Sequence, residues 1–214
     1  MTPTDLVIIG AGGHGRQMHD LVEAHNAAGG PPFRLLGYLD DGELDEEAHR
    51  RIGAEHLGPV ALLADLDCEF AIGIADPARR RAIAEGPAAR GRSAATLRHP
   101  TALMARLAVV GPGAFLSAFT FIDTNVTVGA DLHLNVGASV GHDSILGDQV
   151  TLCPGTRISG AVTVGDGVFI GTNAAIVQGL TIGAGAVIGA GAVVRRDVAP
   201  GATITGLLRP RGES

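Results

Sequence analysis

From Val110 onward every sixth residue is Ile, Leu or Val: Val110, Leu116, Ile122 and so on to Ile188 and Val194, fifteen positions without an exception. Two residues before each stands a small or aliphatic residue, as at Ala114, Thr120, Val126, Leu132 and Ala138. The residue after is often glycine, as at 111, 129, 141, 147, 165, 171, 183 and 189. A period of six fits neither a 3.6-residue helix nor antiparallel hairpins. It predicts a hexapeptide β-helix, in which each unit is a short strand and a corner. Three units close one triangular coil of 18 residues, and coils stack at about 4.8 Å. The aliphatic residue points inward, and glycine is expected to supply positive φ at the corner.

Composition agrees with a repeat of small parts. Of 214 residues 32 are Gly, aromatics are 3% and hydrophobic residues 46%. Mean hydropathy is +0.28, yet no run reaches the ~18 apolar residues of a spanning helix. Net charge is −6, and the 16 basic residues, all Arg, are scattered. That argues against nucleic acid, which needs a basic surface. The one cluster, Arg79–Arg81, is read as a solvated helix face. Cys68 and Cys153 have no metal-type spacing and are expected as buried free thiols in a reducing cytoplasm. The start of the chain lacks a signal-peptide pattern.

Residues 1–99 lack the period of six. "DLVIIGAGGHGRQMHDLVEAH" reads as strand (Leu6–Ile9), Gly-rich turn and helix (about 14–28). "RLLGYLDD", "CEFAIGIAD" and "AATLRHP" read as further strands, with a helix over about 77–90. Alternating β and α elements predict a small parallel sheet. The expected layout is an α/β domain over 1–99, a β-helix over 100–195 and a tail over 196–214.

Gly10, Gly12 and Gly15 match G-x-G-x-x-G between a strand and a helix, where backbone N–H groups can face a phosphate. Asp40 and Asp41 end the second strand, where such folds contact ribose or base. Four strands suit a mononucleotide better than a dinucleotide. His142 follows Val140 and Gly141, so it lies at a corner and points outward, beside Asp143. An outward imidazole oriented by a carboxylate suits a general base. Gly160 stands one coil later and is expected to leave room for a ligand chain. The alternative reading of His142 is an ordinary surface histidine. His133 is expected to be exposed, and His99 to mark the domain junction. No third histidine joins His133 and His142 for a zinc site, and no Ser nucleophile elbow is present. No metal is expected.

"IIGAGGHGR", "GYLDD", "AIGIAD" followed by Arg79, "HPTA" and "LNVGASVGHDSILGD" occur in order along the chain. Together they resemble the sialic acid O-acetyltransferase and nucleotide-sugar N-acetyltransferase family, which includes bacillosamine-pathway and perosamine acetyltransferases. The resemblance implies a Rossmann-like N-terminal domain holding a nucleotide-sugar. It implies a C-terminal left-handed parallel β-helix, a homotrimer, and acetyl-CoA between neighbouring β-helices. By the same resemblance His142 is the base and Asp143 its partner. Gly12, Gly13, His14, Arg16, Asp40, Asp41 and Asn135 lie on the substrate side. Gly160, Thr172, Gly189 and Ala190 line the CoA channel. Thr151 stands where relatives carry a second histidine that contacts the thioester or the CoA arm. "TGLLRPRGES" departs from a family G-x-P-A ending at Leu208 and Arg209. The implied reaction is N-acetylation of a nucleotide-linked amino sugar in the cytoplasm. The alternatives are O-acetylation of a sugar and a non-catalytic nucleotide-binding scaffold.

Overall fold

A computed structural model describes residues 2–205. The N-terminal domain contains β1 (Thr4–Ile9), α1 (Gly13–Ala27), β2 (Phe33–Leu39), α2 (Glu46–Ile52), β3 (His56–Gly58), β4 (Glu69–Ile72) and α3 (Pro77–Ala84). The four strands form one parallel sheet in the order β3-β2-β1-β4. Leu6–Ile9 are fully buried, as a central parallel strand covered on both faces must be. Chain order reverses between β1 and β4, which is where such sheets open a crevice.

Two elements absent from the sequence reading appear in this domain, and two expectations are corrected. The short polar stretch 46–58 supplies α2 and β3; α2 starts on the Asp45 side chain and stops at Gly53, φ 69°. The last helix ends at Ala84 rather than near 90. "AATLRHP" adds only one bridge to this sheet, Ala94 to Phe70. Its Leu97–Arg98 pairs instead with Phe115–Leu116 and opens the β-helix.

From there to Val193–Val194 two-residue strands recur every six residues and pair, parallel, with the strand 18 residues on. They stack into three faces. The first face runs from Leu97–Arg98 through Phe115, His133, Thr151, Phe169 and Val187 to Thr203–Ile204. The second runs from Leu103–Met104 to Val193–Val194, and the third from Val109–Val110 to Thr181–Ile182. These are the stacked coils of a left-handed β-helix. The inward aliphatics and the small residues two places earlier make one continuous core. The stack also outlasts the expected boundary at 195. Val198 bridges Ile182, and Thr203–Ile204 pairs with Val187–Ile188. The remainder of the expected tail, 206–214, with Leu208 and Arg209, lies outside the described residues.

The corners correct the expected role of glycine. Positive φ falls three residues after each aliphatic, not one: at Gly113, Phe119, Asn125, Asp131, Gly137, Asp143, Gln149 and on to Gly191. Half of these left-handed positions are not glycine, and Asn and Asp are prominent among them, as their short polar side chains allow. The glycines directly after the aliphatics serve close approach. A Cβ at Gly141 would stand 2.7 Å from the Ser159 backbone of the next coil.

The N-terminal domain sits on the first face. Leu97, Phe115, His133 and Thr151 point outward there and are all buried. Arg80 of α3, fully buried, fastens the join. It donates to the carbonyls of Asp131, Gln149 and Val150 on the β-helix and of Ile74 and Ala75 on its own domain. The cluster Arg79–Arg81 is therefore not a uniformly solvated face. Arg79 is exposed, Arg81 is half-buried, and Arg80 is the domain clamp. Both cysteines are free and only half-buried.

Candidate active site

Each coil has three corners. His142 stands on the second, between the second and third faces, on the side of the coil away from the N-terminal domain. Its Nδ1 lies 2.8 Å from Asp143 Oδ2, so the Nδ1–H donates to the carboxylate and Nε2 is left bare. Both side chains are more than half exposed. Asp143 occupies a left-handed corner position, φ 60°. Its other oxygen accepts from Asn125 Nδ2 at 2.7 Å, one coil earlier. These two hydrogen bonds, Asn125's first, hold the Asp143 carboxyl below its usual range. Gly160 lies under the imidazole: a Cβ there would stand 2.5 Å from His142 Cε1 and 2.6 Å from Nε2. The room at Gly160 thus belongs to the ring itself and not to a ligand chain. A bare nitrogen, a fixed tautomer and an open approach together can take a proton from an incoming nucleophile.

The same corner continues down the stack from residue 142 through 160 and 178 to Arg196. Arg195 and Arg196 are exposed and make no ion pair among the described residues. They line a groove of about 410 Å³ with Val193, Val194, Asp197, Val198 and Ile204.

Asn135, Thr172, Gly189 and Ala190 lie on the first corner, separate from His142 within one chain. Asn135 is buried and donates to the Leu152 carbonyl at 3.0 Å. It borders a groove of about 230 Å³ between α1 and this corner, lined also by Gln17, Asp20, His99 and Ser117. His99 is thus at the junction, as expected.

The glycine turn has a packed part and an exposed part. Gly10 takes φ 96°, and a Cβ at Gly15 would stand 1.9 Å from the Gly10 carbonyl oxygen. A Cβ at Gly73 would lie 2.5 Å from Gly15 Cα. These three glycines let α1 lie against the ends of β1 and β4. Gly12 and Gly13 are exposed, and a Cβ at Gly12 would meet nothing within 4 Å. They open a helix with no side-chain cap and no acid in its first turn, so the exposed N–H groups at this end have no side-chain partner among the described residues. Asp40 and Asp41 are engaged by backbone. Asp40 accepts from Ala11 N at 2.6 Å and Gly42 N at 2.8 Å, and Asp41 from Val60 N at 2.9 Å. Arg16 donates to the Ala11 carbonyl at 3.2 Å.

Three histidine and threonine expectations are corrected. His133 is fully buried, not exposed. His14 turns toward the first face rather than the open side of its turn. Its Nε2 lies 2.9 Å from His133 Nδ1, and its ring stands edge-on to Phe115. Thr151 is fully buried and its hydroxyl donates to the Ala75 carbonyl at 2.8 Å. That hydroxyl is a domain contact and is not free for a thioester. Sequence reading missed Asn125, and it placed Arg80 on a solvated face. Asn125 could have been found by counting 18 residues back from Asp143.

Residues 5–86 match the PglD N-terminal domain, and residues 161–196 match the bacterial transferase hexapeptide (six repeats). Among solved structures, the acetyltransferase domain of PglB from Neisseria gonorrhoeae FA1090, in complex with acetyl coenzyme A, is 30% identical. It superposes over 94% of this chain and 96% of that one with a TM-score of 0.83. The chain belongs to the hexapeptide-repeat sugar acetyltransferase family. It is an acyltransferase by that membership. PerB from Caulobacter crescentus, in complex with CoA and GDP-perosamine, is 28% identical with a TM-score of 0.81, covering 93% of this chain and 92% of that one. A GDP-perosamine N-acetyltransferase of Escherichia coli O157:H7 is 33% identical over 97 residues, 45% of this chain and 44% of that protein's length. No helix among the described residues is long and apolar enough to cross a membrane. No cluster of three or more metal-ligating side chains forms among them either.

Proposed function

We propose that this acyltransferase moves the acetyl group of acetyl-CoA onto the amine of a nucleotide-linked amino sugar, with His142 as general base. The observation that carries the proposal is the bare, solvent-facing Nε2 of His142, its tautomer fixed by Asp143. The sugar amine attacks the thioester carbonyl, and Nε2 takes the proton the nitrogen sheds. Collapse of the tetrahedral intermediate breaks the C–S bond, and the departing CoA thiolate takes that proton back from the imidazolium. Asp143 stabilises the charged ring between the two transfers. Bringing amine and thioester together supplies the rest, with no covalent enzyme intermediate.

Two further observations support the substrates. About thirteen bonds separate the CoA sulfur from its first phosphorus, a reach of about 15 Å at just over 1 Å per bond. Three coils at about 4.8 Å carry the second corner about 14 Å from His142 to Arg196, where the guanidinium groups of Arg195 and Arg196, in no ion pair among the described residues, suit phosphates. At the other end, the open N-terminus of α1 at Gly12 and Gly13 suits the nucleotide diphosphate. The relatives solved with acetyl coenzyme A, CoA and GDP-perosamine support the same pairing.

The reading includes a homotrimer. The glycine turn faces one side of the coil and His142 the opposite side, so a sugar held by one chain needs a neighbour's His142. Thr172, Gly189 and Ala190, on the first corner, would then face that neighbour's second corner across the CoA cleft. Leu103, Phe121 and Val193 are large apolar residues exposed on the second face, at 61%, 40% and 64%, which suits contact with a partner. Free Cys68 and Cys153 fit a reducing cytoplasm.

The test is thiol release from acetyl-CoA across UDP-, GDP- and dTDP-amino sugars and their free-sugar counterparts, with His142→Ala alongside. The reading expects turnover with one nucleotide-amino sugar and loss of about a hundredfold or more in His142→Ala. Turnover of a hydroxyl sugar alone would replace N- by O-acetylation. Turnover of none, with nucleotide still bound, would leave a binding scaffold.

A further inference from the structure

We propose that Asn125 is a positioning residue of the acetyl transfer, the third member of a relay Asn125–Asp143–His142 built across two coils of the β-helix. The inference rests on His142 being the base. Asn125 and Asp143 are 18 residues apart and hold the same left-handed corner position, φ 57° and 60°. Their side chains are therefore stacked one above the other. Asn125 Nδ2 donates to Oδ1 at 2.7 Å while Oδ2 receives His142 Nδ1 at 2.8 Å. Each carboxylate oxygen thus has its own donor, which stops the carboxylate turning about its Cβ–Cγ bond. A carboxylate fixed in plane fixes the imidazole plane in turn, and so the direction of Nε2.

Polar ladders at β-helix corners can also be purely structural. Gln149 Nε2 donates to Asp131 Oδ2 at 2.6 Å one corner away, also across 18 residues, but that pair is buried beneath the N-terminal domain. The Asn125–Asp143 pair is exposed, where a hydrogen bond adds little to folding. It is also the pair whose second oxygen carries the histidine. Asn125's donation is also the largest of the influences that lower the Asp143 carboxyl, ahead of the hydrogen bond from His142. No neighbouring cation performs that service: among the described residues Asp143 makes its one ion pair with His142.

The relay is tested with variants that spare the turn. Asn125→Gly suits a left-handed position and removes only the amide. Asn125→Asp keeps the shape, removes the donor and sets two carboxylates face to face. Both are expected to lower kcat about tenfold, with KM for either substrate within about twofold and thermal midpoints near wild type. In an Asp143→Gly background, Asn125→Gly is expected to cost nothing further, because its only partner is gone. Wild-type kcat in Asn125→Asp, or equal losses in the Asp143→Gly and wild-type backgrounds, would overturn the relay. His142→Ala, run in parallel, separates the two ideas: full turnover there removes the base itself, whatever Asn125 does.

Discussion

His133 Nδ1 and His14 Nε2 meet at 2.9 Å across the domain boundary. Gln17 Oε1 accepts from His14 Nδ1–H, which leaves His14 Nε2 to accept from His133 Nδ1–H. His133 Nε2 is buried without a partner. Burial is the main cause holding both rings below the ordinary histidine range, His133 well below, and the Arg80 charge pushes the same way. The Ile72 backbone, which favours the charged form of His133, is the smallest influence. The unfolded chain takes up these protons near pH ~6.5, and the folded chain does so only at lower pH. Stability is therefore full above that range and falls as pH drops below it, by up to about 1.4 kcal/mol per pH unit for each ring. Urea unfolding midpoints between about pH 7.5 and 5.5 measure this slope. His133→Leu is expected to flatten it, and a flat wild-type profile would contradict the burial argument.

Arg80 satisfies carbonyls on both domains from a fully buried position. Burial also brings its pKa down to about 10, still charged at neutrality. Arg80→Met removes the charge and orphans those carbonyls. The expected cost is about 3–5 kcal/mol in chemical denaturation. Proteolysis should find the N-terminal domain first. An unchanged denaturation midpoint would mean that the domains are held by the apolar contacts alone.

The glycine turn separates packing from binding by single substitutions. Gly15→Ala places a Cβ 1.9 Å from the Gly10 carbonyl and is expected to prevent the N-terminal domain from folding. Gly12→Ala meets no atom within 4 Å and should fold normally while weakening nucleotide-sugar binding. Calorimetric titration with the nucleotide-sugar distinguishes them. Normal affinity in Gly12→Ala would move the phosphate elsewhere.

Gly160→Ala is expected to leave the coil intact and cripple the reaction. The added methyl overlaps His142 Cε1 and Nε2, and the exposed ring can swing aside at small cost to folding. A base displaced by about 1 Å loses about a hundredfold in rate. Steady-state kcat together with a thermal melt tests the pair of outcomes.

If neighbouring chains share each site, two defective variants should complement. His142→Ala retains its glycine turn, and Gly12→Leu retains its base. Co-expressed and co-assembled, they are expected to recover turnover that neither shows alone. Absence of recovery in verified mixed oligomers would return the whole site to one chain.

Much of the fold was legible because its signal is periodic. Val110 to Val194 fixed the coil length, and the 18-residue register then followed. α2 and β3 were missed because "EEAHRRI" and "HLG" carry almost no apolar pattern; side-chain caps and sheet edges shape them instead. His142 and Asp143 were legible as a pair, since adjacent outward residues at a corner must meet. His133, Thr151 and Arg80 were misread for one reason. Each points outward from its own element, and only the docked domain, invisible to local pattern, turns that outward direction into an interior.

The register also works as an angular code. Deleting any single hexapeptide between Asn125 and His142 would keep every inward aliphatic inward, because the core repeats every six residues. It would nevertheless rotate His142 by a third of a turn, from one edge of the prism to another. Such a deletion would be nearly silent to the hydrophobic interior and ruinous to chemistry. Natural length changes in this half of the molecule should therefore come in whole coils, not in whole repeats.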